Sequence, residues 1–246
     1  MDNQKIYFGK RKIRKNKKTP LVQKIFSNVS KKYDLMNDIM SLNTHKIWKK
    51  ELIDTINIQT DDKIVDVGSG TGDLVKLIFD RNKNVTVYAV DLNKEMLNEA
   101  KRNLLHLDNK KLKFVKANAE KLPFDDNFFD IYLISFCLRN ITEIDKALKE
   151  AHRVLKPNGY FYCLEFGTPN TNLINSIYLK YKKNFIPFMG KKIAKDENAY
   201  QYLSESIDKF PHKEILVDKI KKVGFEEINY FDLFDGIVNI HKGIKL

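Results

Sequence analysis

Between Lys63 and Leu74 the chain reads Lys-Ile-Val-Asp-Val-Gly-Ser-Gly-Thr-Gly-Asp-Leu, an apolar β-branched run that breaks into three alternating glycines and resumes at helical spacing. Such a run predicts a strand, a tight turn and a helix N-terminus. Gly68, Gly70 and Gly72 are expected at positive φ, where the backbone can come close to a ligand. The helix, opening at Thr71 or Gly72, offers unpaired N–H groups. A nucleotide-like ligand is expected here.

The acids around the turn narrow the choice. A dinucleotide turn of the form G-x-G-x-x-G lays a pyrophosphate over the helix start, but here the third glycine position is Asp73, and Asp66 stands just before the turn. Two carboxylates repel a pyrophosphate and suit a ligand carrying a sulfonium and an ammonium. S-adenosylmethionine (SAM) therefore fits better than NAD. A second predicted strand, Val85 to Val90, ends in Asp91, 23 residues beyond Gly68 and placed to accept from both ribose hydroxyls. The plainer reading of Asp91 is a loop acid capping the helix that starts near Asn93.

At 246 residues, 43% of them hydrophobic, the chain is long enough for one α/β domain with a sizeable core. No window approaches eighteen uninterrupted apolar residues and the N-terminus lacks the apolar core of a signal peptide, so the expected location is the cytosol. Cys137 and Cys163 lie in apolar runs without Cys-x-x-Cys spacing or clustered histidines, which reads as two buried thiols and no metal site. The net charge of +12 raises the question of nucleic acid, yet 38 of the 44 basic residues are lysine, whereas phosphate readers lean on arginine. Nucleic acid is not expected as a partner. Residues 1–18 hold eight Lys or Arg against Asp2, a local charge of +7 that reads as a mobile basic tail in contact with an anionic membrane surface, RNA or only water.

In chain order, residues 20–32 and about Thr44 to Ile56 show helical periodicity. The segment Tyr33–Ser41 between them reads as a connection in which Asn37 and Asp38 cap and Met36 and Met40 fill gaps. Lys94 to Leu107 forms the next helix, and Leu112 to Val115 a third strand ending in Asn118-Ala119-Glu120, an amide and an acid placed to read an adenine ring. Strand Asp130 to Ser135 ends beside the ligand at Ser135 and Phe136, with Leu138-Arg-Asn-Ile141 as a loop at the same edge. A helix from Ile144 to Leu155 stops at Lys-Pro-Asn-Gly159, before strand Tyr160 to Phe166. Residues 168–210 break the alternation with Tyr178, Tyr181, Phe185, Phe188, Tyr200, Tyr202 and Phe210 among Lys180, Lys182, Lys183, Lys191, Lys192 and Lys195. They read as an inserted cap suited to a ring substrate with a greasy tail. Helix His212 to Val223 and strands Phe225 to Phe231 and Gly236 to His241 complete a seven-stranded, mostly parallel, doubly wound α/β sheet of Rossmann-like type. Residues 19–246 form one domain, with 19–57 as a helical substrate-side segment and 168–210 as the cap.

Taken together, Gly68-x-Gly70-x-Gly72, Asp91, Asn118-Ala119-Glu120 and Leu155-Lys-Pro-Asn-Gly159 resemble the class I SAM-dependent methyltransferases. Tyr33-Asp-Leu-Met-Asn-Asp-Ile-Met-Ser41, His45 with Trp48, Phe136-Cys-Leu-Arg-Asn140, Tyr200-Gln-Tyr-Leu-Ser-Glu-Ser-Ile207 and Gly236-Ile-Val238 with His241 resemble the ubiquinone/menaquinone biosynthesis C-methyltransferases, from about Phe8 to Lys245. The resemblance departs at Ser69, Asn43 and Asn158, where that family usually has glycine, and at Lys46 and Gln201, where it has arginine.

The resemblance implies methyl transfer from SAM to a ring carbon of a polyprenylated benzoquinol or naphthoquinol. It places SAM on Thr71, Asp91, Asn118, Ala119 and Ser135, with Gly68, Gly70, Gly72 and Asp73 around it. Arg139 is assigned to stabilising a phenolate or orienting a water, since a guanidinium stays protonated, and Asn140 to aligning the ring. Tyr33 and His45 are candidates for the proton relay, Tyr200 and Tyr202 for substrate contact. Expected partners are the prenylated quinol, an anionic membrane surface and a quinone-synthesis complex, with homo-oligomerisation left open. Two rival functions are an RNA or protein methyltransferase that uses the basic arm and a non-catalytic SAM-binding scaffold; Arg139 and Asn140 argue against the second.

Overall fold

A computed structural model describes residues 4–107, 110–185, 188 and 197–246. The apolar run of the glycine turn forms β3 (Lys63–Val67), an interior strand of a seven-stranded sheet. β4 (Thr86–Asp91) and β5 (Leu112–Lys116) add on one side in parallel. β6 (Phe129–Ser135) and β7 (Leu155–Phe166) add in parallel on the other. β9 (Val238–Ile244) pairs antiparallel with β7, and β8 (Glu226–Leu233) antiparallel with β9 at the edge, giving the order β5-β4-β3-β6-β7-β9-β8. The chain reverses direction across the sheet between β3 and β6, so a crevice opens at their carboxyl ends, where ligands of such sheets bind.

Helices α4 (Asp73–Arg81), α5 (Lys94–Asn103), α6 (Ile144–Val154) and α9 (Lys213–Lys222) cover the two faces. The central strands are almost wholly apolar because both faces are buried. Val65, Tyr132 and Phe161 pack on one side, and Ile64, Leu133 and Leu164 on the other. Two acids within these strands are deeply buried, Asp66 and Glu165, both about 1% exposed. Acids so deeply buried need a partner or a function.

Above the crevice lie α1 (Lys18–Val29), α2 (Tyr33–Ser41), α3 (Thr44–Asp54), α7 (Asn172–Lys180), a π turn (Tyr181–Phe185) and α8 (Glu197–Asp208). Tyr33–Ser41, expected as a connection, is a helix. Met36 and Met40 on one side of it bury against Val29, Met96, Tyr200 and Leu203, and this packing overrides the turn preference of Asn37 and Asp38. Asn43 and Asn158, where the resembled family has glycine, sit in the left-handed region at φ 65° and 64°, a conformation asparagine tolerates.

The basic tail also differs from expectation. β1 (Lys5–Phe8) and β2 (Arg11–Arg14) pair antiparallel around Gly9, and Lys15–Lys17 form a 3₁₀ turn into α1. The hairpin is tied to α8: the Phe8 ring stacks on Tyr202 at 4.5 Å and the Lys10 N–H donates to Glu205 Oε2 at 2.9 Å. At the far end Lys18 Nζ donates to the Ile141 carbonyl at 2.8 Å, bracing the loop after β6, and burial holds its pKa down at about 8. Of the cap residues named from sequence, Lys191, Lys192 and Lys195 lie outside the described residues. Among the described residues, no helix is long and apolar enough to cross a membrane, and no three His, Cys, Asp or Glu side chains are grouped to hold a metal.

Candidate active site

The glycine turn takes the expected form, with Gly68, Gly70 and Gly72 at φ 74°, 55° and 92°. Two of the three are closed off: a Cβ on Gly68 would meet Cys137 Sγ at 2.2 Å and one on Gly72 would meet Leu104 Cδ1 at 2.7 Å. A Cβ on Gly70 would meet nothing nearer than Tyr33 Cε1 at 3.6 Å. Gly70 is the point at which the backbone faces open space.

Two cavities meet at this turn, sharing Tyr33, Gly68, Gly70, Ser135 and Phe136. The smaller, about 90 Å³, is floored by Asp91, Asn118 and Ala119 and roofed by Val22, Gln23 and Phe26 of α1. Asp91 ends β4, and its carboxylate accepts from the Gly70 N–H at 3.0 Å and the Asn93 N–H at 2.7 Å. Those bonds occupy one direction on each oxygen. The carboxylate keeps further acceptor capacity toward the cavity, as a ribose requires. The helix-capping alternative fails, because Asn93 itself caps α5 by accepting from the Met96 N–H. Asn118 uses its side-chain oxygen on the Glu120 N–H, and Glu120 accepts from the N–H groups of Thr142 and Glu143. Glu120 thus holds the loop after β6.

The larger cavity, about 290 Å³, has a polar end and an apolar wall. At the polar end Lys49 donates to Asp73 at 2.7 Å. Burial opposes the Lys49 charge, but Asp73 and Tyr33 outweigh it and its pKa ends raised. Thr71 Oγ1 donates to Asp34 Oδ1 at 2.5 Å. Neither oxygen of the buried Asp66 carboxylate has a partner, and burial pushes its pKa up to about 7, with Asp91 and Asp73 adding to the rise against Lys49. A buried, unpartnered carboxylate beside an open glycine suits an ammonium, and Asp91 suits a ribose; the residues present fit SAM.

At the apolar wall, Trp48 packs within about 6 Å of the rings of Phe136, Phe166 and Phe234. Arg139 is 6% exposed in the 3₁₀ turn Leu138–Asn140. Its Nη1 donates to Glu165 Oε2 at 2.9 Å and its guanidinium lies over the Phe166 ring at 5.2 Å. Phe136, which accepts from Arg139 Nη1 at 2.5 Å through its carbonyl, is held at φ 50°. A bulky residue in that conformation at the junction of two cavities is strain stored at a working site.

Tyr33, His45 and Arg139 line the larger cavity, as do Gly68, Gly70, Thr71, Asp73 and Ser135. Asn140 faces the smaller cavity, where Tyr202 Oη donates to its side-chain oxygen at 3.1 Å. Tyr200 and Tyr202, expected at the substrate, line neither cavity: Tyr200 is buried against Met36 and Met40, and Tyr202 is sandwiched between Phe8 and Asn140. Gly72 is also away from both cavities and serves as the N-cap of α4. Lys49, Asp34 and Glu165 were missed, and Tyr178 was named only among the aromatics of the cap. Tyr178 Oη is buried without a partner on the cavity lining, and its place at helical spacing from Ile174, which shares that lining, is a signal the sequence carried.

SAM affinity is expected to depend on pH through Asp66. A carboxyl raised to about 7 keeps its proton below that value, and pairing with an ammonium requires the ionised form. Binding should release a proton and tighten as pH rises, by up to about tenfold per unit below the shifted value. Burial also raises the Asp91 carboxyl, to about 6, so calorimetric titrations from pH 5.5 to 8 should show this trend, and Asp66→Asn should flatten it above about pH 6 while leaving the Asp91 contribution at the acid end; a wild-type profile flat between pH 6 and 8 would remove Asp66 from the ammonium site.

A sequence model of the ubiE/COQ5 methyltransferase family matches residues 11–245. A Rickettsia bellii protein named ubiquinone/menaquinone biosynthesis C-methyltransferase UbiE is 49% identical over 245 residues, covering 97% of this chain and 98% of the relative. The Rickettsia prowazekii protein of the same name is 46% identical over the same shares. Among solved structures, a Thermotoga maritima SAM-dependent methyltransferase, described as a possible histamine N-methyltransferase, superposes with a TM-score of 0.65 at 18% identity, covering 92% of this chain and 100% of its own. The Haemonchus contortus phosphoethanolamine N-methyltransferase 2 bound to SAM gives 0.60 at 16% identity, covering 80% of this chain and 52% of its own. At these identities the structural matches speak for the fold alone.

Proposed function

The chain belongs to the ubiE/COQ5 methyltransferase family, and on that premise we propose that its larger cavity receives a prenylated quinol, benzoquinol or demethylmenaquinol, and methylates a ring carbon. The protein is a SAM-dependent C-methyltransferase of quinone biosynthesis. The observation that carries the substrate reading is the cavity itself. Its polar end abuts the SAM turn, while the rest is apolar and runs out to the surface at Leu42, Ile177 and Phe234, which are 63%, 60% and 49% exposed. A ring with two oxygens and a long hydrocarbon tail matches that gradient.

When bound, SAM supplies an electrophilic methyl on a sulfonium. The chain must raise electron density on the acceptor carbon and hold it in line. Arg139 is the fixed positive charge for a ring oxygen that turns anionic, and it is preorganised by Glu165 and the Phe136 carbonyl, so it need not move as charge develops. Tyr178 Oη is the unpartnered donor for the ring's other oxygen. Trp48, Phe136 and Phe166 exclude water from the ring. Incubating the protein with labelled SAM and short-tailed reduced quinones should place label in the extractable quinol. Label in added RNA, falling as salt rises, would favour the nucleic-acid reading instead.

The polyprenyl tail of such a substrate lies in a membrane, and the basic hairpin supplies the charge for reaching it. Replacing Lys5, Arg11, Lys12 and Arg14 by Gln is expected to weaken binding to anionic vesicles by roughly 1 kcal/mol for each residue close to the surface. Turnover of a soluble short-tailed quinol should stay unchanged, because these side chains lie outside both cavities. Unaltered vesicle binding would leave the hairpin as a solvated charge run. This test is cleaner than deleting residues 2–18, which would also remove Phe8 from Tyr202 and Lys18 from the loop after β6.

A further inference from the structure

We infer that His45, oriented by Asp38, is the group that takes the proton from the quinol ring hydroxyl. The inference rests on the quinol C-methyltransferase reading and adds the base that reading lacks. His45 stands in the first turn of α3, is 4% exposed and lines the larger cavity with Tyr33 and Arg139. Its Nε2 lies 2.8 Å from Asp38 Oδ1. An ionised carboxylate only accepts, so the ring N–H sits on Nε2 and Nδ1 carries a lone pair. That Nδ1 is buried and has no partner in the folded chain.

The surroundings keep the imidazole neutral and ready to accept. Burial is the main cause that lowers its pKa below the ordinary value, followed by the Lys49 charge, while Asp38 and Asp73 pull the other way. Asp38 is itself kept ionised by Lys46 Nζ, 2.7 Å from the same oxygen. When a proton arrives at Nδ1, the carboxylate on Nε2 stabilises the imidazolium, which is why a pair is needed and not a lone histidine. Other polar groups of the cavity are less suited. Arg139 stays protonated, Lys49 is paired with Asp73 with its pKa raised, and burial raises the Tyr33 phenol.

The steps balance as follows. The hydroxyl proton passes to His45 Nδ1, and the O–H bonding pair stays on the ring oxygen, facing Arg139. A ring electron pair then forms the new carbon–methyl bond while the carbon–sulfur bond breaks, its pair going to sulfur, and the ring becomes a neutral dienone. The ring carbon loses its hydrogen to water as the oxygen retakes the proton from His45. One proton is released overall and the imidazole is regenerated.

The test is kcat against pH for wild type, His45→Gln and Asp38→Asn, with saturating SAM and a short-tailed quinol, so that titration of Asp66 and Asp91 on SAM binding does not enter. Wild type should lose kcat on the acid side with a midpoint below the ordinary histidine value of about 6.5. His45→Gln should lose about 10²–10⁴ in kcat and the acid limb with it, while SAM affinity by calorimetry is retained. Asp38→Asn should reduce kcat less and move the limb to lower pH, because the imidazolium loses its carboxylate; this variant decides the matter should His45→Gln not fold. Turnover in His45→Gln within threefold of wild type, or an unmoved limb in Asp38→Asn, would overturn the assignment. A wild-type protein that methylates no quinol would instead bring down the function proposed above, and this step with it.

Discussion

Arg139→Ala is expected to lose stability and catalysis together while keeping SAM. Arg139 and Glu165 are buried against each other, with side chains 3% and 1% exposed. The Glu165 carboxylate also accepts from the backbone N–H groups of Arg139 and Phe166, at 3.2 Å each. Burial pushes the Glu165 carboxyl up and the Arg139 charge pulls it back. Removing one partner leaves the other charge stranded, a loss of about 3–5 kcal/mol that for a chain of this size lowers the melting temperature by roughly 6–20 °C. Below the melt, kcat should fall by about 10²–10³ with KM little changed, as for loss of one preorganised donor. Lysine should restore the charge without the planar fork and rescue only in part.

Because stability and chemistry share this pair, the single variant needs a partner to separate them. Arg139→Met combined with Glu165→Leu should regain most of the melting temperature, since apolar replacement of a buried pair is often neutral, yet remain poor in turnover. A double variant that regains both would make the arginine structural. Normal turnover in Arg139→Ala, or failure only because SAM no longer binds, would remove the loop after β6 from the chemistry and leave Tyr33 and His45.

The second large effect belongs to Asp91. Asp91→Ala removes the acceptor for the ribose hydroxyls, an expected loss of about 2–4 kcal/mol, or roughly 30- to 1000-fold in SAM affinity. It also frees the Gly70 and Asn93 N–H groups that the carboxylate now holds, so the glycine turn should loosen locally while the sheet stays intact. Asp91→Asn keeps an acceptor without the charge and should fall between. Unaltered SAM affinity in a folded Asp91→Ala protein, measured calorimetrically, would contradict the placement of the adenosine half.

The parts of this molecule that were legible in the sequence are those whose cause is local. Three glycines at alternate positions, an acid closing the next strand and the alternation of apolar runs with helical spacing each depend on a few neighbouring residues, and they placed β3, β4, β6 and the SAM turn within a residue or two. The pairs that make the cavity work join residues far apart along the chain. Lys49 meets Asp73 and Arg139 meets Glu165 only because α3 and β7 are brought to one sheet edge. A hint was present, since Glu165 and Asp66 are single acids inside otherwise apolar strands, and a charge in such a place demands a partner or a ligand. The hairpin over residues 5–14 was hidden for the opposite reason: its charges read as a solvated tail, while its order comes from Phe8 and Lys10 engaging α8, nearly two hundred residues away. Tyr200 and Tyr202 look like ligand contacts in a motif, and packing turns them instead toward Met36, Met40 and the hairpin.

The reaction proposed for this cavity puts the methyl group on carbon and not on oxygen or nitrogen. Its most direct test is carbon-13 NMR of the quinol product made with methyl-labelled SAM by the purified protein. A single enriched ring-methyl resonance, formed in step with S-adenosylhomocysteine, is expected. An enriched methoxy resonance, or S-adenosylhomocysteine released with no label in the quinol, would contradict it.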